Sequence, residues 1–177
     1  MLLISNYLEY NYPEKISKMR ECINQWNKRF LTPLGKVTVI KTFLMSQINH
    51  LLIALPNPSE TYIKEINSLF YKFLWSGKPD KINRNIVKLD NAKVGIKMLN
   101  LYHSITALKG TWIRRLLVSQ TIEKPQWIHL FEKIYNTSIN KLSIFGTYFL
   151  VVLKKRSQNI FWRNVFDAWI EICSKKK

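Results

Sequence analysis

Residues 70–84 read Phe70-Tyr71-Lys72-Phe73-Leu74-Trp75-Ser76-Gly77-Lys78-Pro79-Asp80-Lys81-Ile82-Asn83-Arg84. Five of the first six side chains are apolar or aromatic, the pattern of a helix end buried around much of its circumference. Gly77 offers the left-handed conformation that commonly terminates a helix, and Pro79 prevents its resumption. Lys78, Lys81 and Arg84 follow at once, relieved only by Asp80. The stretch predicts an aromatic helix end that presents a short cationic loop. Such a loop suits a scaffold that grips phosphate, and it holds nothing that makes or breaks a covalent bond.

The same helical period extends in both directions. Upstream, Ser59 predicts an N-cap with Glu60 in the first turn, opening a helix through Ile63, Ile66, Leu69, Phe70, Phe73 and Leu74. Pro56 and Pro58 separate it from a helix starting near Lys36, whose broad apolar face is Val37, Ile40, Phe43, Leu44, Ile48, Leu51 and Leu52. Pro33-Leu34-Gly35 divides that helix from a first one over Lys15 to Leu31, with a stripe of Ile16, Met19, Ile23, Trp26 and Phe30. Here Trp26, Phe73, Leu74 and Trp75 are expected in the core.

Downstream, residues 78–98 lose the period and fit a loop, a short extended piece or a turn of helix. Asn100 predicts the N-cap of a helix through Leu101, Ile105, Leu108, Trp112 and Leu116. Gly110 inside it costs roughly 1 kcal/mol relative to Ala, which implies a closely packed neighbour. Pro125 suits the first turn of a helix carrying Trp127, Ile128, Phe131, Ile134 and Tyr135. Residues 138–153 are ambiguous, because Tyr148 to Leu153 has β propensity among helical neighbours. Ser157 is the expected cap of a last helix bearing Phe161, Val165, Trp169 and Ile172, which ends in Lys175, Lys176 and Lys177 at the negative pole of its dipole. The fold expected is all-α, an irregular bundle of about five to seven helices. It has a lead-in over 1–14, a principal helical region over 15–117 and a C-terminal helical extension over 118–177 packed on it.

Charge is the second strong signal. The chain of 177 residues has 28 basic and 11 acidic side chains, a net +17, against a magnitude of about 2–8 for a small soluble domain. Self-repulsion of this size opposes compaction unless a polyanion offsets it. Nucleic acid is the first partner to consider, ahead of an anionic membrane surface. No acid interrupts the intervals Glu21–Glu60, Asp90–Glu123 and Glu132–Asp167, so the basic character belongs to the folded surface and not to a tail. A hydrophobic fraction of 47% excludes disorder. Cys22 and Cys173 have no metal-ligand spacing and read as small buried apolar residues. The amino terminus lacks a signal peptide's basic start, and the longest apolar window, Ile144 to Leu153, is too short for a bilayer span. An intracellular chain, nuclear or in a cytoplasmic ribonucleoprotein, without membrane association, is the expectation.

Catalytic constellations are absent from the pattern. Asp80, Asp90 and Asp167 are isolated, whereas two-metal phosphoryl transfer needs clustered carboxylates. Asp167 and Glu171 share a helix face, but as solvated charges beside a Lys-rich end. His50, His103 and His129 lack a second ligand at metal spacing and read as core or interface residues. There is no glycine loop of the phosphate-cradling kind. No metal, cofactor or small-molecule substrate is implied. Tryptophans beside cations (Trp26 with Arg29, Trp75 with Lys78, Trp112 with Arg114 and Arg115, Trp162 with Arg163) are core by spacing, which leaves the flanking cations for phosphate.

Trp26-Asn27-Lys28-Arg29-Phe30-Leu31-Thr32-Pro33-Leu34-Gly35-Lys36-Val37-Thr38-Val39-Ile40-Lys41 resembles the segment just downstream of the polymerase core in reverse transcriptases of LINE-type, non-LTR retrotransposons. So do Leu55-Pro56-Asn57-Pro58, residues 70–81, and Val94-Gly95-Ile96-Lys97-Met98-Leu99-Asn100-Leu101, in the same order. The resemblance covers Ile16 to Leu117. It departs at Val94, where the family has a first glycine, and at Leu99, where it has proline. The family's adjacent catalytic aspartates and its downstream Cys/His knuckle have no counterpart in this sequence. The resemblance therefore implies a thumb-like helical portion, over 15–117, that closes over template and primer without a polymerase active site.

The leading expectation is a nucleic-acid-binding helical module, not an enzyme, that holds RNA, DNA or an RNA–DNA hybrid by its phosphates. The candidate contacts are Arg29, Lys36, Lys41, Lys78, Lys81, Arg84, Lys97, Arg114 and Arg115. The alternatives are a protein-interaction module that docks on a separate polymerase palm and fingers, and a retroelement remnant without selected activity.

Overall fold

The computed structural model describes residues 2–118, 125–138 and 140–175. Among them every regular element is helical, as the periodicity predicts. They divide into two compact units, Met1–Ser104 and Ile105–Lys177. The division falls inside a helix, whereas the sequence reading sets it at 117/118. A helix that continues through a division leaves no turn residue to mark it.

In the first unit, α1 runs from Leu2 to Asn27, so the described residues of the lead-in expected over 1–14 are helix. Pro13 lies within it, at a position that normally costs about 3 kcal/mol. Burial is what opposes that cost: Tyr12 is fully buried and stacks on Tyr62, ring centroids 5.5 Å apart. Ile16, Met19 and Ile23 form the buried stripe as expected. The helix then stops four residues before the predicted Leu31, with Arg29 N–H bonding back to the Trp26 carbonyl at 3.0 Å. Phe30 consequently leaves the stripe and stands fully in solvent, and Trp26 is only half-buried.

The predicted second helix is three pieces. Thr32 caps α2 (Pro33–Val39) by accepting from Gly35 N–H at 3.2 Å, with Pro33 in the first turn. A π-helical segment, Ile40–Leu44, follows, then α3 (Ser46–Ala54), with a bend of 47° between Pro33–Leu44 and Ser46–Ala54. The wide π turn rotates Phe43 out of the apolar face to 50% exposure, while Ile40, Leu44, Ile48 and Leu52 stay fully buried. α1 packs on α3 and on α4 (Glu60–Leu74), and α2 packs on α4. Ser59 begins α4 in extended backbone as predicted, but its hydroxyl pairs with that of Thr61 at 2.6 Å and not with a backbone N–H.

α4 ends in a Schellman motif. Gly77 N–H bonds to the Lys72 carbonyl at 2.7 Å and Ser76 N–H to that of Phe73 at 3.2 Å. The left-handed conformation expected of Gly77 (φ +76°) is shared by Ser76 (φ +54°). Beyond it lie α5 (Arg84–Val87) and a 3-10 turn over Asn91–Lys93. Met98 N–H returns to the Val87 carbonyl (3.0 Å) and Lys97 N–H to that of Leu89 (2.9 Å), which tucks 95–98 against 87–89. That turn places Val94 at φ +60° and Gly95 so close to Leu89 that a Cβ would sit 2.0 Å from its carbonyl oxygen.

Asn100 caps α6 (Leu101–Val118) as predicted, accepting from His103 N–H at 3.3 Å. The second unit joins the larger part of α6 to α7 (Gln126–Tyr135), α8 (Asn140–Arg156) and α9 (Ile160–Ser174). Its core is Ile113, Leu116, Ile128, Phe131, Leu150, Leu153, Val165 and Phe166, edged by Trp112, which meets Trp127, Phe161 and Trp162 edge-on. Gly110 packs as predicted, since a Cβ there would meet Ile172 Cδ1 at 2.5 Å. α8 kinks at Gly146 (φ +53°), and the ambiguous 148–153 run after the kink is helix, because packing on α9 overrides its β propensity. Asn159, not Ser157, caps α9, accepting from Phe161 N–H at 2.9 Å. Ser157 is buried instead and shares a 2.8 Å hydrogen bond with the Tyr135 hydroxyl. Among the described residues no single helix is long and apolar enough to cross a membrane.

Candidate nucleic-acid interface

The cationic loop after α4 does not stand alone. It faces the start of α2 and the end of α1 across two adjoining hollows, of about 190 and 380 Å3, that share Leu31, Lys36 and Ser76 as common wall. The first adds Pro33, Trp75, Lys78 and Lys81, and the second adds Asn27, Arg29 and Phe30. A third hollow, of about 280 Å3, touches the second through Asn27 and runs past Lys72 and Gly77. The outcome is a shallow track around the Schellman turn, lined by cations and lacking any lining carboxylate.

Lys36 is the centre of this track. The residue is 7% exposed, and its ammonium donates to Ser76 Oγ at 2.5 Å and stands 5.4 Å from the centre of the Phe73 ring. No carboxylate among the described residues pairs with it, and desolvation alone holds its amine below the ordinary lysine range. A buried cation without a counter-ion is costly. The carbonyl end of α4 and the Ser76 hydroxyl compensate in part. Ser76 provides that oxygen from a left-handed backbone that disfavours side chains other than Gly, Asn and Asp, strain of the kind that clusters at ligand sites.

Of the sequence-predicted contacts, Arg29, Lys36, Lys78 and Lys81 come together here. Arg29 lies 4.7 Å over the Trp26 ring, which fixes its guanidinium beside the second hollow. Lys41 is exposed on the π segment. Arg84 is engaged elsewhere: its Nε donates to Asp80 at 2.6 Å and its guanidinium covers the Tyr71 ring at 4.2 Å. Lys97 likewise pairs with Asp90 at 3.1 Å. An anion at either must compete with a carboxylate already in place. Arg114 and Arg115 belong to the second unit, exposed on α6, with Arg115 5.1 Å over the Trp112 ring.

Sequence reasoning missed two members of the track. Phe30 falls in a buried stripe by spacing, and Ser76 carries no signal beyond the Ser-Gly pair that punctuates turns. Of the core-or-interface reading of the histidines, the core half does not hold, since His50, His103 and His129 are all exposed. Cys22 and Cys173 are partly exposed rather than buried. Asp167 and Glu171 each take a lysine partner, Lys154 and Lys175, both at 2.5 Å. In the second unit Lys109 is fully buried, 4.7 Å over the Phe161 ring, and burial lowers its amine to about 7.

No family model matches the chain, and no solved structure matches it.

Proposed function

We propose that the chain is a nucleic-acid-binding helical module that grips RNA, DNA or an RNA–DNA hybrid by its phosphates, and that residues 15–117 serve as the thumb-like part of a LINE-type reverse transcriptase without the polymerase active site. The observation that carries the proposal is Lys36, a buried cation with no carboxylate partner among the described residues, at the junction of hollows lined by Arg29, Lys78 and Lys81. Phosphate supplies the missing counter-charge, and the net +17 supplies long-range attraction. The backbone at Val94 gives further support. It adopts a left-handed φ of +60°, the conformation natural to the glycine found there in the family it resembles.

The test is a salt titration of binding to fluorescein-labelled single-stranded and duplex oligonucleotides. Log affinity falls by about 0.7 per log unit of salt for each phosphate neutralised on a single strand, and by about 0.9 on B-form duplex. Absence of binding at low salt, or affinity indifferent to salt, refutes the proposal.

A second reading, a module that docks on a separate polymerase core, is favoured by the second unit. There Leu130 and Ile134 on α7 are 58% and 60% exposed, and Ile144 and Tyr148 on α8 are 72% and 75% exposed. Concentration-dependent association of the chain that nucleic acid fails to displace supports this alternative.

A further inference from the structure

We infer that the track selects an unpaired strand, with Phe30 as the platform on which one base stacks while the flanking phosphates lie on Lys36 and on Lys78 and Lys81. The inference rests on the nucleic-acid reading above and adds the class of strand. Phe30 is at full exposure, an unusual state for a phenylalanine, three residues beyond the end of α1 at Asn27. No ring contacts it among the described residues, whereas Trp26, four positions away, is partnered by Phe43 at 5.1 Å and by Arg29. Phe30 borders a hollow also lined by Arg29, Lys36 and Ser76.

The chemistry of the walls decides what covers the ring. An apolar protein surface laid on Phe30 would also bury the exposed Arg29 and seal off the already buried Lys36, neither of which has a carboxylate partner among the described residues, at a large desolvation cost. A nucleotide strand meets both demands, because each base offers a flat apolar face and each linkage offers an anion. A paired base cannot do this, since both its faces are already stacked within the duplex. The two hollows meet at the Lys36–Ser76 wall, so a strand lying on the ring in one continues directly over Lys78 and Lys81 in the other.

The experiment compares the full chain and its Phe30→Ala, Phe30→Leu and Phe30→Trp variants by fluorescence anisotropy, on a fluorescein-labelled 12-mer oligouridylate and on a 12-base-pair duplex, at fixed salt. Loss of one base–aromatic stack predicts about 5- to 150-fold weaker binding of the single strand by Phe30→Ala. Phe30→Leu, which keeps the apolar bulk and loses the π face, should be weakened likewise, and Phe30→Trp should hold or gain. Duplex affinity should change less than twofold in all three. With Phe30 wholly in solvent none of the substitutions disturbs the core, and circular dichroism checks this. Salt-dependent binding of both nucleic acids with Phe30→Ala unaffected overturns the stacking inference and leaves the phosphate reading standing. Equal losses on strand and duplex overturn the selectivity. Failure of the unaltered chain to bind either at low salt removes both.

Discussion

Replacing Lys36 with methionine separates a ligand-binding cation from a structural one. The methionine keeps most of the aliphatic stem that packs between α2 and α4 and removes only the ammonium. In the folded protein the residue is 7% exposed, and its ammonium is bonded to Ser76 Oγ at 2.5 Å and has no carboxylate partner among the described residues. Losing a charge-assisted hydrogen bond costs about 1.5–3 kcal/mol. Relief of a buried cation's desolvation returns an amount of the same order, several kcal/mol at most. Folding stability is therefore expected to stay within about 1 kcal/mol of the parent, measured by urea unfolding followed through tryptophan fluorescence. Binding should respond very differently. One charge-assisted phosphate contact is worth about 1.5–3 kcal/mol, so single-strand affinity should fall about 10- to 150-fold. The slope of log affinity against log salt should become shallower by about 0.7. The opposite pattern, a stability loss above about 2 kcal/mol with the salt slope unchanged, would mean that Lys36 caps the negative end of α4 and holds no phosphate.

Val94→Gly should raise stability by about 1 kcal/mol in the same unfolding assay, because a β-branched residue at φ +60° is strained where glycine is not. A loss of stability instead would show that the Val94 side chain contributes more than its backbone strain costs. Asn159→Ala should remove the cap that accepts from Phe161 and Trp162 N–H and cost about 1 kcal/mol, whereas Ser157→Ala should act on the buried Tyr135 hydrogen bond and not on the helix start. Lys109 has an amine lowered to about 7 in the folded chain against 10.5 in the unfolded one, so the unfolded state binds more protons between those values. Stability should thus rise from pH 7 toward pH 10 by up to about 1.4 kcal/mol per unit, and Lys109→Met should flatten the rise. Above about pH 10 the trend should reverse, since burial keeps the Tyr12 and Tyr71 hydroxyls protonated when the unfolded chain ionises.

Where burial follows a regular period, sequence alone determined the outcome. The stripes Ile16–Met19–Ile23 and Ile66–Leu69–Phe70–Phe73–Leu74, the stop after Trp75, the Asn100 cap and the close packing at Gly110 were all legible, because each depends on a spacing or a residue's own conformational range. The net charge and its spread through acid-free intervals were equally legible and put the cations on the folded surface. What the sequence could not hold was any property set by a neighbour distant in the chain. Pro13 reads as a break, and only Tyr12 packed on Tyr62 shows why the helix passes through it. Phe30 and Phe43 fit their stripes by number, yet the early stop of α1 and the π turn after Val39 swing both outward. Lys78 and Lys81 were visible as a cationic stop, but their joining to Arg29 and Lys36 required α2 to pack on α4. The same packing buried Lys36 away from every described carboxylate, while Arg84 and Lys97, equal candidates by composition, found Asp80 and Asp90. Local sequence fixes which residues are helical and charged; the long-range packing of α1, α2 and α4 decides which charges remain unneutralised, because a counter-ion is a matter of ångströms in space and not of positions along the chain.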